Sequence, residues 1–126
     1  MIKTKTLVCK SLSDDMSGVK LVETQIEEPK DNEILIKVKA ASVNFPDLLM
    51  TQGKYQHKPE LPFGLGMEGS GIVQSVGSEV SRIKEGDEVT FGALGKGAFT
   101  EFICVNQNSV EIKPSNLNFE QAAAFQ

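Results

Sequence analysis

Glu33-Ile-Leu-Ile-Lys-Val-Lys-Ala-Ala-Ser42 is the stretch that decides the fold class. Ile34, Ile36, Val38 and Ala40 fall on one side of a period-two pattern and Lys37 and Lys39 on the other, as in a strand with one buried face. Shorter runs of the same kind occur at Thr6 to Lys10, Val19 to Thr24, Gly71 to Val76, Glu88 to Phe91, Phe99 to Val105 and Val110 to Lys113. Turn-forming residues separate them, at Asp14-Asp15 to Gly18, Pro29 to Asn32, Gly77-Ser78, Glu85-Gly86-Asp87 and Gly95-Lys96-Gly97. Seven short strands with little helical periodicity predict a mainly β domain, a barrel or a sandwich.

Two segments interrupt the alternation. Asn44-Phe-Pro-Asp-Leu-Leu-Met-Thr-Gln-Gly53 has an asparagine placed to cap, a proline in the first turn and a glycine after the last, which predicts a short helix. Asn118-Phe-Glu-Gln-Ala-Ala-Ala-Phe-Gln126 pairs a capping Asn118 with Gln121 and continues in the best helix former. A helix this short is marginal without packing partners, so the expectation is a chain interrupted within a helix that leads onward.

The 126 residues are one domain's length, enough to bury a core without covalent staples. Thirteen basic residues against 17 acidic ones give a net charge of −4, with no Lys/Arg cluster to meet nucleic acid. No apolar run approaches a membrane span, and Met1 to Asp15 has no apolar leader core, so a soluble, cytoplasmic chain is expected. Cys9, Cys104 and the single His57 cannot assemble a four-ligand structural zinc site. Both cysteines sit in alternating stretches and read as small buried side chains. The acidic residues form no glycosidase-like pair, and no serine nucleophile elbow is present.

Gly64-Leu-Gly-Met-Glu-Gly69 matches G-x-G-x-x-G, with Asp87 and Glu88 about 20 residues on, as a dinucleotide fingerprint asks. That mechanism needs a strand before the glycines and a helix after them, because the helix N-terminus holds the pyrophosphate. Pro59-Glu-Leu-Pro62 precedes the motif and the alternating Ser70 to Val76 follows it. The glycines are therefore expected to serve tight turns and close backbone approach.

Taken in order, Ala41-Ser-Val-Asn-Phe-Pro-Asp-Leu-Leu49, Gly53-Lys-Tyr55, Pro59-Glu-Leu-Pro-Phe63, Gly66-Met-Glu-Gly-Ser-Gly-Ile-Val73, Val76-Gly77, Lys84-Glu-Gly-Asp-Glu-Val89 and Phe119-Glu-Gln-Ala-Ala-Ala124 cover nearly the whole chain. They resemble the N-terminal GroES-like domain of medium-chain dehydrogenases/reductases, in the zinc-free quinone oxidoreductase branch that includes the ζ-crystallins. The resemblance implies a GroES-like, partly open β-barrel with short helices over residues 1–117. It makes residues 118–126 the start of a helix leading to a Rossmann NADPH-binding domain. No pair of βαβ units is present in the chain to supply that domain. The fragment is accordingly expected to be inactive alone, and its parent to be a homo-oligomer.

In the zinc-bearing members of that family, a cysteine just before the first helix and a histidine in a Gly-His-Glu triplet hold the metal. Asn44 and Met67 occupy those positions here, and neither an amide nor a thioether suits zinc. The resemblance thus implies no zinc and a hydride passed from NADPH to a small-molecule quinone or an activated alkene such as an enone. Asn44, Phe45, Asp47 and Leu48 are the implied cofactor contacts, with Asn44 hydrogen-bonding the cofactor and Asp47 ordering the site. Their plainer roles are helix cap and first-turn acid.

Tyr55 is the implied substrate contact and candidate proton donor, and its plainer role is packing. His57 is a candidate assistant, and Glu68 is expected to brace its turn by accepting backbone hydrogen bonds. Two other readings remain. One is an enoyl thioester reductase domain; the other is a free-standing GroES-like binding or assembly module, for which Gly92 to Gly97 is the nearest equivalent of a mobile apolar loop, and a short one.

Overall fold

The computed structural model describes residues 1–56, 58–93 and 95–124; His57, Leu94, Phe125 and Gln126 lie outside the described residues. The decisive alternating stretch is β3 (Glu33–Ala41), flanked by antiparallel β5 (Glu68–Val76) and β7 (Phe102–Asn106). β6 (Glu88–Gly92) and β8 (Val110–Ile112) extend the sheet beyond β5, giving the order β7-β3-β5-β6-β8. A second sheet has β1 (Ile2–Cys9) between β2 (Val19–Ile26) and β4 (Phe63–Gly64).

The two sheets are stitched by a Thr6–Thr100 bridge, by Leu7 N–H to the Phe99 carbonyl at 2.8 Å and by Glu101 N–H to the Lys5 carbonyl at 3.0 Å. The result is two sheets that stop short of closing, in agreement with the expected partly open GroES-like barrel.

Ile34 and Ile36 are fully buried with Val73, Val89, Phe91 and Val105 in the main core, as the alternation predicts. Each such side chain contributes roughly 1.5–3 kcal/mol. Leu35 points to the opposite face and is buried as well, so β3 is covered on both sides at its start and exposes its lysines only from Lys37 onward. Cys9, Met50, Phe63 and Leu65 form a second, smaller core.

Several boundaries differ from the sequence expectation: β1 begins at Ile2 rather than Thr6, β2 runs on to Ile26, and β5 begins at Glu68 rather than Gly71, each carried further by pairing with a neighbouring strand. β4 raises the strand count among the described residues to eight; two residues offer no alternation to read, and Phe63 and Gly64 are strand because Cys9 and Val8 pair with them. The stretch from Phe99 joins the large sheet only at Phe102, since Phe99 and Glu101 turn their backbone to β1. Lys113, read as the end of a strand, lies beyond β8 and is buried.

Both helices form where expected. α1 (Phe45–Thr51) follows an extended Asn44 with φ −117° and ψ 155°. α2 (Phe119–Ala124) opens on a reciprocal capping box, Asn118 N–H to Gln121 Oε1 at 3.0 Å and Gln121 N–H to Asn118 Oδ1 at 2.8 Å. Its packing partners come from the same domain. Ala122 and Ala123 are buried, the helix packs on β5 and β3, and Ser70 Oγ donates to the Phe119 carbonyl at 2.6 Å.

The glycine motif runs from Gly64 at the end of the two-residue β4 to Gly69 inside β5, so a strand follows where a dinucleotide fingerprint needs a helix, as expected. Gly66 has φ +100°, and a Cβ there would lie 2.9 Å from the Ala98 nitrogen; at Gly64 it would lie 2.4 Å from the Lys96 carbonyl oxygen. Cys9 and Cys104 are both free thiols. Among the described residues no helix is long and apolar enough to cross a membrane.

Candidate functional site

α1 and the start of β5 bring three polar side chains together. Glu68 Oε1 accepts from Ser42 Oγ at 2.9 Å and from Asn44 Nδ2 at 3.4 Å, and Asn44 Nδ2 also lies 3.3 Å from Ser42 Oγ. Among the described residues the partners of the Glu68 carboxylate are therefore side chains, which corrects the expected backbone bracing: Ser42 and Asn44 follow the end of β3 directly and are brought to the first residue of β5 by its pairing with that strand. The Ser42 backbone N–H meets the carbonyl of Glu68 rather than its side chain, at 3.4 Å.

Asp47 stands beneath this group. Its Oδ2 accepts the Asn44 N–H at 2.8 Å, while the Asp47 N–H donates to the Asn44 carbonyl at 2.9 Å, fixing the first turn of α1. Asp47 is only 4 % exposed, and its Oδ1 is buried with no hydrogen-bond partner among the described residues. Burial raises its pKa and the nearby Glu68 charge adds to the rise, while the N–H groups of Asn44 and Gly66 work against it.

The remaining sequence candidates are placed differently. Phe45 is 70 % exposed and Val43 is 81 % exposed, so half-buried Asn44 has an exposed apolar residue on either side of it in the chain. Leu48 is half-buried on α1. Tyr55 is outside the hydrogen-bonded group: its ring packs against the small core of Cys9, Met50, Phe63 and Leu65, and its hydroxyl has no hydrogen-bond partner among the described residues. Met67, at the position where a zinc-bearing relative places histidine, packs against the same core. His57 lies outside the described residues. Ser42 went unnoticed in the sequence because a serine at a strand end carries no motif of its own.

Two cavities are formed by the described residues, and neither is lined by Ser42, Asn44, Asp47 or Glu68. One of about 290 Å³ lies between the end of α1 and the 58–63 segment, lined by Leu12, Met50, Pro59, Leu61 and Phe63 with Lys58. The other, about 340 Å³, runs along the seam of the two sheets past Thr4, Glu33, Lys96 and Cys104. Among the described residues no three His, Cys, Asp or Glu side chains converge as metal ligands would.

A two-sheet, mainly β GroES-like fold with a polar cluster at its first helix defines a domain of the medium-chain dehydrogenase/reductase kind. Residues 30–115 match the alcohol dehydrogenase GroES-like domain, and the chain belongs to that family. Quinone oxidoreductase 1 of Escherichia coli is 41 % identical over 103 residues, covering 82 % of this chain and 31 % of the relative. The crystal structure of the human synaptic vesicle membrane protein VAT-1 homolog-like protein superposes with a TM-score of 0.90 at 31 % identity, covering 98 % of this chain and 40 % of that one. The E. coli quinone oxidoreductase complexed with NADPH gives a TM-score of 0.79 at 35 % identity, over 96 % of this chain and 36 % of that one. The chain thus spans less than a third of that curated relative.

Proposed function

We propose that this chain is the substrate-side domain of a zinc-independent, NADPH-dependent quinone oxidoreductase, whose cofactor cleft is completed by a Rossmann domain outside these residues. The observation that carries the reading is the Asn44 amide, held by Glu68 and Ser42 and framed by the exposed Val43 and Phe45. A polar group held still next to exposed apolar residues suits a flat, mostly apolar ligand with few polar atoms. The E. coli relative solved with NADPH supports the choice of cofactor.

Zinc fits poorly. The Asn44 amide nitrogen already donates to a carboxylate and a hydroxyl, and Met67 turns its thioether to an apolar core. Neither offers the anionic or imidazole donor that zinc selects.

NADPH supplies a hydride, which is two electrons and one proton's worth of hydrogen; one more proton completes the hydroquinone. Asn44, Phe45 and Leu48 contact the cofactor, and Asp47 holds the first turn of α1 in place. Tyr55, with its hydroxyl unpartnered among the described residues, contacts the quinone and is the candidate source of the proton.

The test is NADPH oxidation by the full-length protein with a simple benzoquinone, with and without a zinc chelator. Turnover unaffected by the chelator, and reduced at least tenfold in Asn44→Ala, is expected. Loss of turnover on chelation that zinc restores would overturn the zinc-independent reading, and turnover with enoyl thioesters but not quinones would replace the substrate.

A further inference from the structure

We propose that Glu68 is a positioning residue that fixes the flip of the Asn44 amide, so that the carbonyl oxygen of Asn44 meets the ligand and selects a hydrogen-bond donor. The Ser42 proton decides the flip. Ser42 Oγ is 2.9 Å from Glu68 Oε1, and an ionised carboxylate only accepts, so the hydroxyl hydrogen goes to Glu68. Ser42 Oγ then turns its lone pairs to Asn44.

Asn44 is consequently faced by two acceptors, Ser42 Oγ at 3.3 Å and Glu68 Oε1 at 3.4 Å. Only the NH₂ end of the amide answers both, by pointing a hydrogen between two acceptors that are themselves 2.9 Å apart. The opposite flip would set the amide oxygen against a carboxylate oxygen. Oδ1 is thereby turned away from Ser42 and Glu68 and toward the Asp47 N–H, its capping-box partner at the start of α1, and the second lone pair of the amide oxygen is left for a ligand.

The inference rests on the proposed NADPH reading and sharpens it: the group met by Asn44 carries an N–H or O–H, which in a reduced nicotinamide nucleotide is the carboxamide or a ribose hydroxyl. Glu68 touches neither cofactor nor substrate in this arrangement. It acts through Asn44.

Two measurements test it. In ligand-free protein, the side-chain NH₂ protons of Asn44, followed by NMR, should exchange with solvent about tenfold faster in Glu68→Ala and Ser42→Ala than in wild type. Glu68→Gln, whose amide oxygen still accepts, should stay close to wild type. Affinity of the full-length protein is then compared for NADPH and for its 3-acetylpyridine analogue, which lacks the carboxamide N–H.

If Asn44 reads the carboxamide, wild type prefers NADPH by about tenfold and Glu68→Ala loses the preference. If it reads the ribose hydroxyl, Glu68→Ala weakens both nucleotides alike and Glu68→Gln restores both. Unchanged Asn44 exchange in both alanine variants would overturn the lock, and unchanged affinity for both nucleotides would overturn its role toward the ligand. No nucleotide binding by wild type at all would overturn the functional reading and the ligand half of this inference together, with the exchange data still judging the lock. Because the two alanine variants loosen the same amide from different parts of the chain, Glu68 on β5 and Ser42 just past β3, a folding defect in one leaves the other to decide.

Discussion

The ammonium of Lys113 lies 3.2 Å from Glu88 Oε1 and 5.4 Å from the centre of the Phe119 ring, on a side chain that is 5 % exposed. It also donates to the carbonyls of Pro114, at 3.3 Å, and Leu117. One buried cation therefore ties β6, the 114–117 turn and the first residue of α2. An ammonium this desolvated is tolerable only when its donors are used, and here they are.

Lys113→Ala is expected to lower stability by about 2 kcal/mol, through lost charge-assisted hydrogen bonds and the released turn. Glu88→Gln should cost less than about 1 kcal/mol, because Glu88 is half exposed and water screens it. Urea midpoints of the two variants measure both, and equal losses would contradict the assignment of the effect to the buried partner.

Gly66 and Gly86 both have positive φ, +100° and +91°, but a Cβ on Gly66 meets Ala98 and Phe99 backbone nitrogens at 2.9 Å, while Gly86 has nothing within 4 Å. Gly86→Ala should cost about 1 kcal/mol, the conformational term alone. Gly66→Ala adds steric contact with backbone and should cost about 3 kcal/mol or more. Comparing the two unfolding curves separates the contributions.

Asp47 has its pKa raised in the folded protein, chiefly by burial, so the folded state binds its proton more tightly than the unfolded chain does. Its contribution is fully favourable below the unfolded value of about 3.9 and is lost as pH rises through the folded value. The melting temperature of wild type relative to Asp47→Asn should therefore fall as pH is raised from about 3.5 toward neutrality. A difference that grew in favour of wild type over that range would mean that the carboxylate is stabilised in place.

The Cys104 thiol is pushed up to about 11, first by burial and then by Glu33. At pH 8 its thiolate fraction is on the order of a hundredfold below that of an ordinary cysteine. Iodoacetamide should label it correspondingly slowly, as peptide mapping over time would record.

Much of the fold was legible because each strand with one wet face writes its burial as alternation, and Ile34, Ile36 and Lys37 are the clearest instance. Capping residues placed both helices for a similarly local reason. What stayed hidden depends on distant chain. Phe63 and Gly64 are a strand only because β1 passes beside them, and Leu35 is buried on the face the lysines had marked as wet. The site divides in the same way. Asn44 and Asp47 share a turn and were read together, whereas Ser42 and Glu68 are 26 residues apart and meet only once β3 and β5 have paired.

Glu68 and Ser70 lie two residues apart on β5, hence on one face of that strand. The first grips Asn44 at the candidate site, and the second holds the Phe119 carbonyl at the entry to α2. The same few ångströms of β5 backbone thus serve both the Asn44 amide and the seating of α2, so a substitution that shifts this stretch disturbs the two together.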